Sequence, residues 1–168
     1  MKVNKAENNG YTKKPSKLKN LVNGAIVDIK LSVPVISQHA TGDYFSKQKE
    51  IAENLAGVQD GKEAGVIKNI GKGAVKQVVY TIPVVGTYKL GQAKANHETL
   101  KGVIDAEKNN TKFSPKKHGL ISTYLKGLDE KAKLCIPVYS MYYKGKMANE
   151  AENMLKDSEK INNKKETE

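Results

Sequence analysis

At 168 residues with a formal net charge of +11, the chain has the size of one ordinary domain and a strong cationic bias. All 29 basic residues are lysine, so the planar arginine fork that reads guanine edges and clamps phosphates is excluded, and diffuse attraction to anions is what the charge can offer. A single cysteine, Cys135, excludes an internal disulfide, and with three scattered histidines it offers no structural zinc site, so no metal and no cofactor is expected.

Residues 1–16 (MKVNKAENNGYTKKPS) hold too few apolar side chains to repay the entropy of ordering, and a disordered basic tail is expected there. No apolar core of signal-peptide length follows, and no run of about eighteen apolar residues occurs anywhere. The expected location is therefore cytoplasmic or membrane-peripheral, with signal-independent export left open.

From residue 17 to 157 the chain reads as one helical domain made of three similar units, at about 17–57, 65–106 and 119–157. The register is set by Pro34, Pro83 and Pro137. Gly24, Gly73 and Gly127 stand ten residues before these prolines, and Gly42, Gly91 and Gly145 stand eight residues after them. Each proline is preceded by Val33, Ile82 or Ile136 and followed by Val35, Val84 or Val138. Further out, Leu18, Ile67 and Ile121 match, as do Ile51, Leu100 and Met154. The units are spaced by 49 and then 54 residues.

Within each unit the matched apolar positions recur every three or four residues without a break in phase at the proline, which is helix period. Each unit is therefore expected to be a long amphipathic helix kinked or interrupted at its proline, since proline lacks a backbone donor and crowds the preceding turn. A helix pair with proline at the first position of the second helix is the alternative, disfavoured because Val and Ile are poor caps. In the first unit HATGDYF looks like a loop, with Gly42 ending a helix. In the second, Ile67, Ile70, Ala74, Val78 and Ile82 line one face and Lys68, Lys72 and Lys76 another, giving a basic amphipathic helix.

GVQDGKE and KNNTKFSPKKH carry turn signals and read as linkers, and residues 158–168 read as a second disordered tail. The fold expected is all-α: three internal repeats of a Pro-kinked or Pro-interrupted helix, packed as a small bundle or array. Pro34, Pro83 and Pro137 are its hinges, with Gly73, Gly91, Gly127 and Gly145 allowing close approach.

Catalysis finds no constellation. His39, His97 and His118 belong to no metal or nucleophile motif, and His39 shares a column with Tyr88 and Tyr142, which favours packing. Cys135 shares the small-residue column of Ser32 and Thr81. Asp129, Glu130, Glu150 and Glu152 read as solvated helix faces. Gly71 and Gly73 follow no strand and precede no Lys-Ser pair, so they make no phosphate loop.

Two readings of the apolar proline segments remain. The favoured one buries Ile-Pro-Val as the knuckle where three bent helices cross. The other lays the apolar face into a membrane interface with lysines on the polar side. IPVVGTYK, residues 82–89, is similar to the Ile-Pro-Val-x-Gly stretches that precede the toxic domains of secreted polymorphic toxins; the likeness covers these residues alone, without the other motifs of such proteins. The expected function is a non-enzymatic membrane-peripheral or interaction module, effector-associated or viral among its settings. Its partner is an anionic membrane surface or a protein, with an anion-binding face at Lys68, Lys72 and Lys76. Non-specific nucleic-acid binding and self-assembly as a homo-oligomer are the alternatives.

Overall fold

The computed structural model describes residues 11–58 and 65–167, which form six α-helices and, among the described residues, no strand. They are α1 (Lys17–Ser32), α2 (Pro34–Ala56), α3 (Val66–Thr81), α4 (Pro83–Lys108), α5 (Leu120–Cys135) and α6 (Pro137–Thr167). The all-α class is as the hydrophobic period predicts.

At each proline the chain is interrupted rather than merely bent. Val33 (φ −102°, ψ 118°), Ile82 (φ −73°, ψ 117°) and Ile136 (φ −95°, ψ 111°) take extended backbone, and the proline opens a new helix. Steric restriction of the residue before proline drives this geometry. Neither Val33 nor Ile82 makes a side-chain cap. That lack, which counted against a helix pair, costs little: proline at the first helical position has no N–H to satisfy and already holds a helical φ. The carbonyls of Val33, Ile82 and Ile136 accept the first helical bonds from the N–H groups of Ser37, Gly86 and Ser140 at 2.8, 2.6 and 2.6 Å. On the other side of the break, the hydroxyls of Ser32 and Thr81 donate to the carbonyls of Ile29 and Val78, each at 2.7 Å, so two C-terminal carbonyls are satisfied.

The helices pack in three antiparallel pairs: α1 on α6, α3 on α2 and α5 on α4. Glycines make each crossing. A Cβ at Gly24 would overlap the carbonyl of Met141, and one at Gly145 the carbonyl of Asn20. Gly73 and Gly42 meet the carbonyls of Gln38 and Asn69, while Gly127 and Gly91 meet those of Thr87 and Thr123. Backbones at this distance exclude any larger residue. Polar side chains lock the crossings: Gln77 donates to Ser37 at 2.6 Å, Ser46 to Asn69 at 2.7 Å, and Asn149 to Asn20 at 2.8 Å.

This docking mode reverses the expected facing of α3. Asn69 and Gly73 are buried, whereas Ile67 is 86% exposed and Val75, Val78 and Ile82 also face outward. The apolar stripe exists, but the small-residue face is the one that permits backbone contact and therefore wins the interface. HATGDYF lies inside α2, so the expected loop is corrected to helix, and Gly42 is a crossing residue, not a terminus.

A compact apolar core sits at the end remote from the prolines, where Ile51, Ile104, Met154 and Ile161 pack with Leu55, Leu100, Leu155 and Tyr11. The expected tail at 158–168 is corrected here: α6 continues to Thr167, with Ser158 and Ile161 buried. The end of the expected basic tail is also tied down. Thr12 donates to the Asp157 carboxylate from its N–H at 2.9 Å and from its hydroxyl at 2.8 Å, and Lys108 pairs with the same group at 2.5 Å. Residues 1–10, the Asp60-Gly61 turn signal and Glu168 lie outside the described residues.

Candidate interaction surface

The antiparallel crossings bring the three prolines to one end of the molecule. Along the α2–α3 pair, Gly42 lies at Asn69, Gly73 at Gln38 and Gln77 at Ser37, so the end of α3 reaches the start of α2. Along the α4–α5 pair, Gly91 lies at Thr123 and Gly127 at Thr87, and Lys131 reaches the carbonyl of Pro83 at 3.5 Å. In the α1–α6 pair, Gly145 lies at Asn20 and Gly24 at Met141.

What this end presents is apolar. Val35, Val84 and Val138 are 59%, 65% and 71% exposed, and Val33, Ile36, Ile82, Val85, Ile136 and Tyr139 are exposed beside them. The expectation of a buried Ile-Pro-Val knuckle is therefore corrected: the helices cross through their glycines, a turn or more away from the prolines, and the tips project past the crossings. Each tip is free of formal charge, over residues 31–42, 77–88 and 134–143, and these runs are bordered by Lys30, Lys76, Lys89, Lys133 and Lys144, with Asp43 after the first. The apolar faces of α1, α3 and α5 extend the surface along the flanks, through Leu18, Val22 and Ile29, through Ile67 and Val75, and through Ile121 and Leu125, all exposed. No described helix is long and apolar enough to cross a membrane.

The three lysines expected to form one anion-binding face divide. Lys68 is exposed. Lys72 turns toward α2 and donates to the Ser46 hydroxyl at 3.2 Å, and Lys76 lies 4.7 Å over the Phe45 ring.

Ionisable groups read as solvated turn out to build the interior. His97 is buried, with Nδ1 3.3 Å from the Tyr44 hydroxyl and Nε2 3.4 Å from the Glu150 carboxylate, which Lys101 also pairs at 2.8 Å. Burial pushes Glu150 up, but the hydrogen bonds from His97 and Lys101 and the charges of Lys101 and Lys146 outweigh it and hold the carboxyl at about 2. Glu130 is buried and accepts from the Tyr143 hydroxyl, with Lys133 at 3.2 Å and Lys94 at 3.6 Å. Burial, and then that hydrogen bond to Glu130, push the Tyr143 hydroxyl well above the usual phenol range. Asp129 pairs with Lys133, and Glu152 with Lys156 at 2.8 Å, both in exposed positions as expected. His39 is half-buried, His118 lies 3.4 Å from Lys126, and Cys135 is exposed at the third tip. Among the described residues no group of three His, Cys, Asp or Glu side chains could hold a metal ion.

The sequence offered no signal for the Tyr44–His97–Glu150 contact, because its partners are 53 residues apart in each step. No protein-family model, curated protein or solved structure matches the chain.

Proposed function

We propose that the chain is a non-enzymatic, membrane-peripheral module built from three copies of one Pro-interrupted helix pair, and that it seats its apolar proline end in an anionic lipid interface. The observation that carries this reading is the exposure of Val35, Val84 and Val138 at one end, inside charge-free runs bordered by lysine on every side but that of Asp43. Exposed aliphatic tips favour transfer into the headgroup boundary, and lysines around them attract acidic headgroups; together they give two additive anchoring terms. The three-copy reading is supported by the equal 16-residue lengths of α1, α3 and α5 and by the matching glycine contacts at the three crossings.

Vesicle co-sedimentation tests the function. Vesicles with acidic lipid should pull the full chain down, in part resistant to high salt, because the apolar component is not screened. Complete release at moderate salt would overturn the reading. Self-assembly through the same apolar end is the second reading, favoured by an exposed apolar surface of this extent. It predicts an oligomer by mass in the absence of lipid. Nucleic-acid binding has less support, since Tyr44 and Tyr143, two of the eight tyrosines that could stack on bases, are committed to internal hydrogen bonds.

A further inference from the structure

A groove of about 800 Å³ opens between α2, α3 and α4, walled by Phe45, Val75 and Leu100. Its volume falls in the range of small-molecule sites. Two features of α3 on this groove are not accounted for by backbone packing or by ion pairs among the described residues. The first is Gly71. A glycine in a helix interior costs about 1 kcal/mol relative to alanine, and the other helix-interior glycines among the described residues lie against neighbouring backbone or, at Gly102, against the Phe113 ring. A Cβ at Gly71 would meet nothing within 4 Å, so the glycine leaves the groove wall open where any side chain would narrow it.

The second is charge. Lys72 and Lys76 line the groove one helical turn apart, and neither pairs with a carboxylate among the described residues: Lys72 has the Ser46 hydroxyl and Lys76 the Phe45 ring. Like charges four apart on a helix repel each other. A third lysine on the rim, Lys49, is paired with Glu53 at 2.6 Å, and among the described residues no carboxylate lines the groove. An apolar trough with two cations that lack a counter-charge complements one chemistry: an aliphatic chain ending in an anion.

We propose that this groove binds a single-chain amphiphile with an anionic head, carboxylate or phosphate, its chain lying along Phe45, Val75 and Leu100 past Gly71 and its head between Lys72 and Lys76. The site shares Val75 and Lys76 with the flank of the surface described above but none of the proline tips, and it does not depend on the membrane reading.

The test titrates the full chain with a fluorescent long-chain fatty acid below its critical micelle concentration, with no vesicles present. One saturable site is expected, displaced by unlabelled palmitate and by lysophosphatidate. Whichever displaces at the lower concentration identifies the head group. The uncharged alcohol of the same chain length should compete at least about tenfold more weakly, and acetate not at all. Gly71→Leu, which fills open space, should weaken binding at least about tenfold while circular dichroism stays at the wild-type value and the melting midpoint holds or rises. Lys72→Gln/Lys76→Gln should do the same for the acid and leave the alcohol unaffected. Val84→Asp, which disables the proposed membrane end, should bind the probe as wild type does. Undiminished binding by Gly71→Leu, equal competition by the alcohol, or loss of binding in Val84→Asp would each overturn the site, the last by showing that the probe sits on the proline tips.

Discussion

Val84→Asp distinguishes a side chain held for contact with a partner from one held for packing. Val84 is 65% exposed. Full transfer of a valine side chain out of water is worth about 1.5–3 kcal/mol, so this exposed fraction contributes about 1–2 kcal/mol on entering a lipid interface. The new carboxylate meets anionic headgroups and adds about 1 kcal/mol of repulsion. The sum, about 2–3 kcal/mol, weakens partitioning about 30- to 140-fold. Folding stability should move by no more than about 0.5 kcal/mol, as for other substitutions at open surface. Two assays on the same preparation read these effects: flotation with vesicles containing acidic lipid, and urea unfolding followed by circular dichroism. Val35→Asp and Val138→Asp should behave alike, and the triple variant should stay in solution. Vesicle binding at wild-type level, or a stability loss of about 2 kcal/mol or more, would refute the reasoning, the latter by showing the valine to be packed inside.

Three further predictions concern the scaffold. Gly73→Ala should destabilise by about 3 kcal/mol, since its methyl group collides with the Gln38 carbonyl, whereas Gly71→Ala two residues earlier should stabilise by about 0.5–1 kcal/mol; paired urea melts compare them. Ile161→Ala should cost about 2–4 kcal/mol by thermal unfolding, because the side chain is 3% exposed in the core with Ile51, Ile104 and Met154. Glu150 has a folded pKa of about 2, below its unfolded value, so its contribution is complete above the unfolded pKa and is lost as pH falls toward 2. Glu150→Gln should therefore cost about 2 kcal/mol at pH 7, after allowance for solvent screening, and should flatten the stability profile of the wild type between about pH 4.5 and pH 2.

Helix content and the position of the breaks were legible because both depend on local chemistry: a period of three to four residues, and a proline that removes a donor. Which face each helix turns inward was not. Periodicity locates an apolar stripe on α3 through Ile67, Ile70, Ala74, Val78 and Ile82, but the interface is decided by how closely two backbones can approach, and Gly73 and Asn69 allow what Ile67 does not. The glycine columns were visible in the sequence, yet their meaning as the crossing points, rather than accessories to a proline knuckle, depends on pairing Gly42 with Asn69 and Gly91 with Thr123 across units. HATGDYF was misread for a related reason: Gly42 costs helix stability locally and recovers it in a tertiary contact that composition does not reveal. The end of α6 was missed because one isoleucine, Ile161, secures it to the core amid polar residues. Of the lysine face, the spacing of Lys68, Lys72 and Lys76 on one helix was correct, while the turn of two of them toward Ser46 and Phe45 required the neighbouring helix.

Cys135, the single cysteine, is exposed at the third proline tip beside Ile136 and Val138, and so reports on the apolar end without any mutation. Labelled with a polarity-sensitive fluorophore, the folded chain should react rapidly. On addition of acidic vesicles the emission should shift to the blue and brighten, with part of the change persisting in high salt. A thiol that reacts only after unfolding, or a label whose emission ignores the vesicles, would contradict an apolar end built to enter a lipid interface.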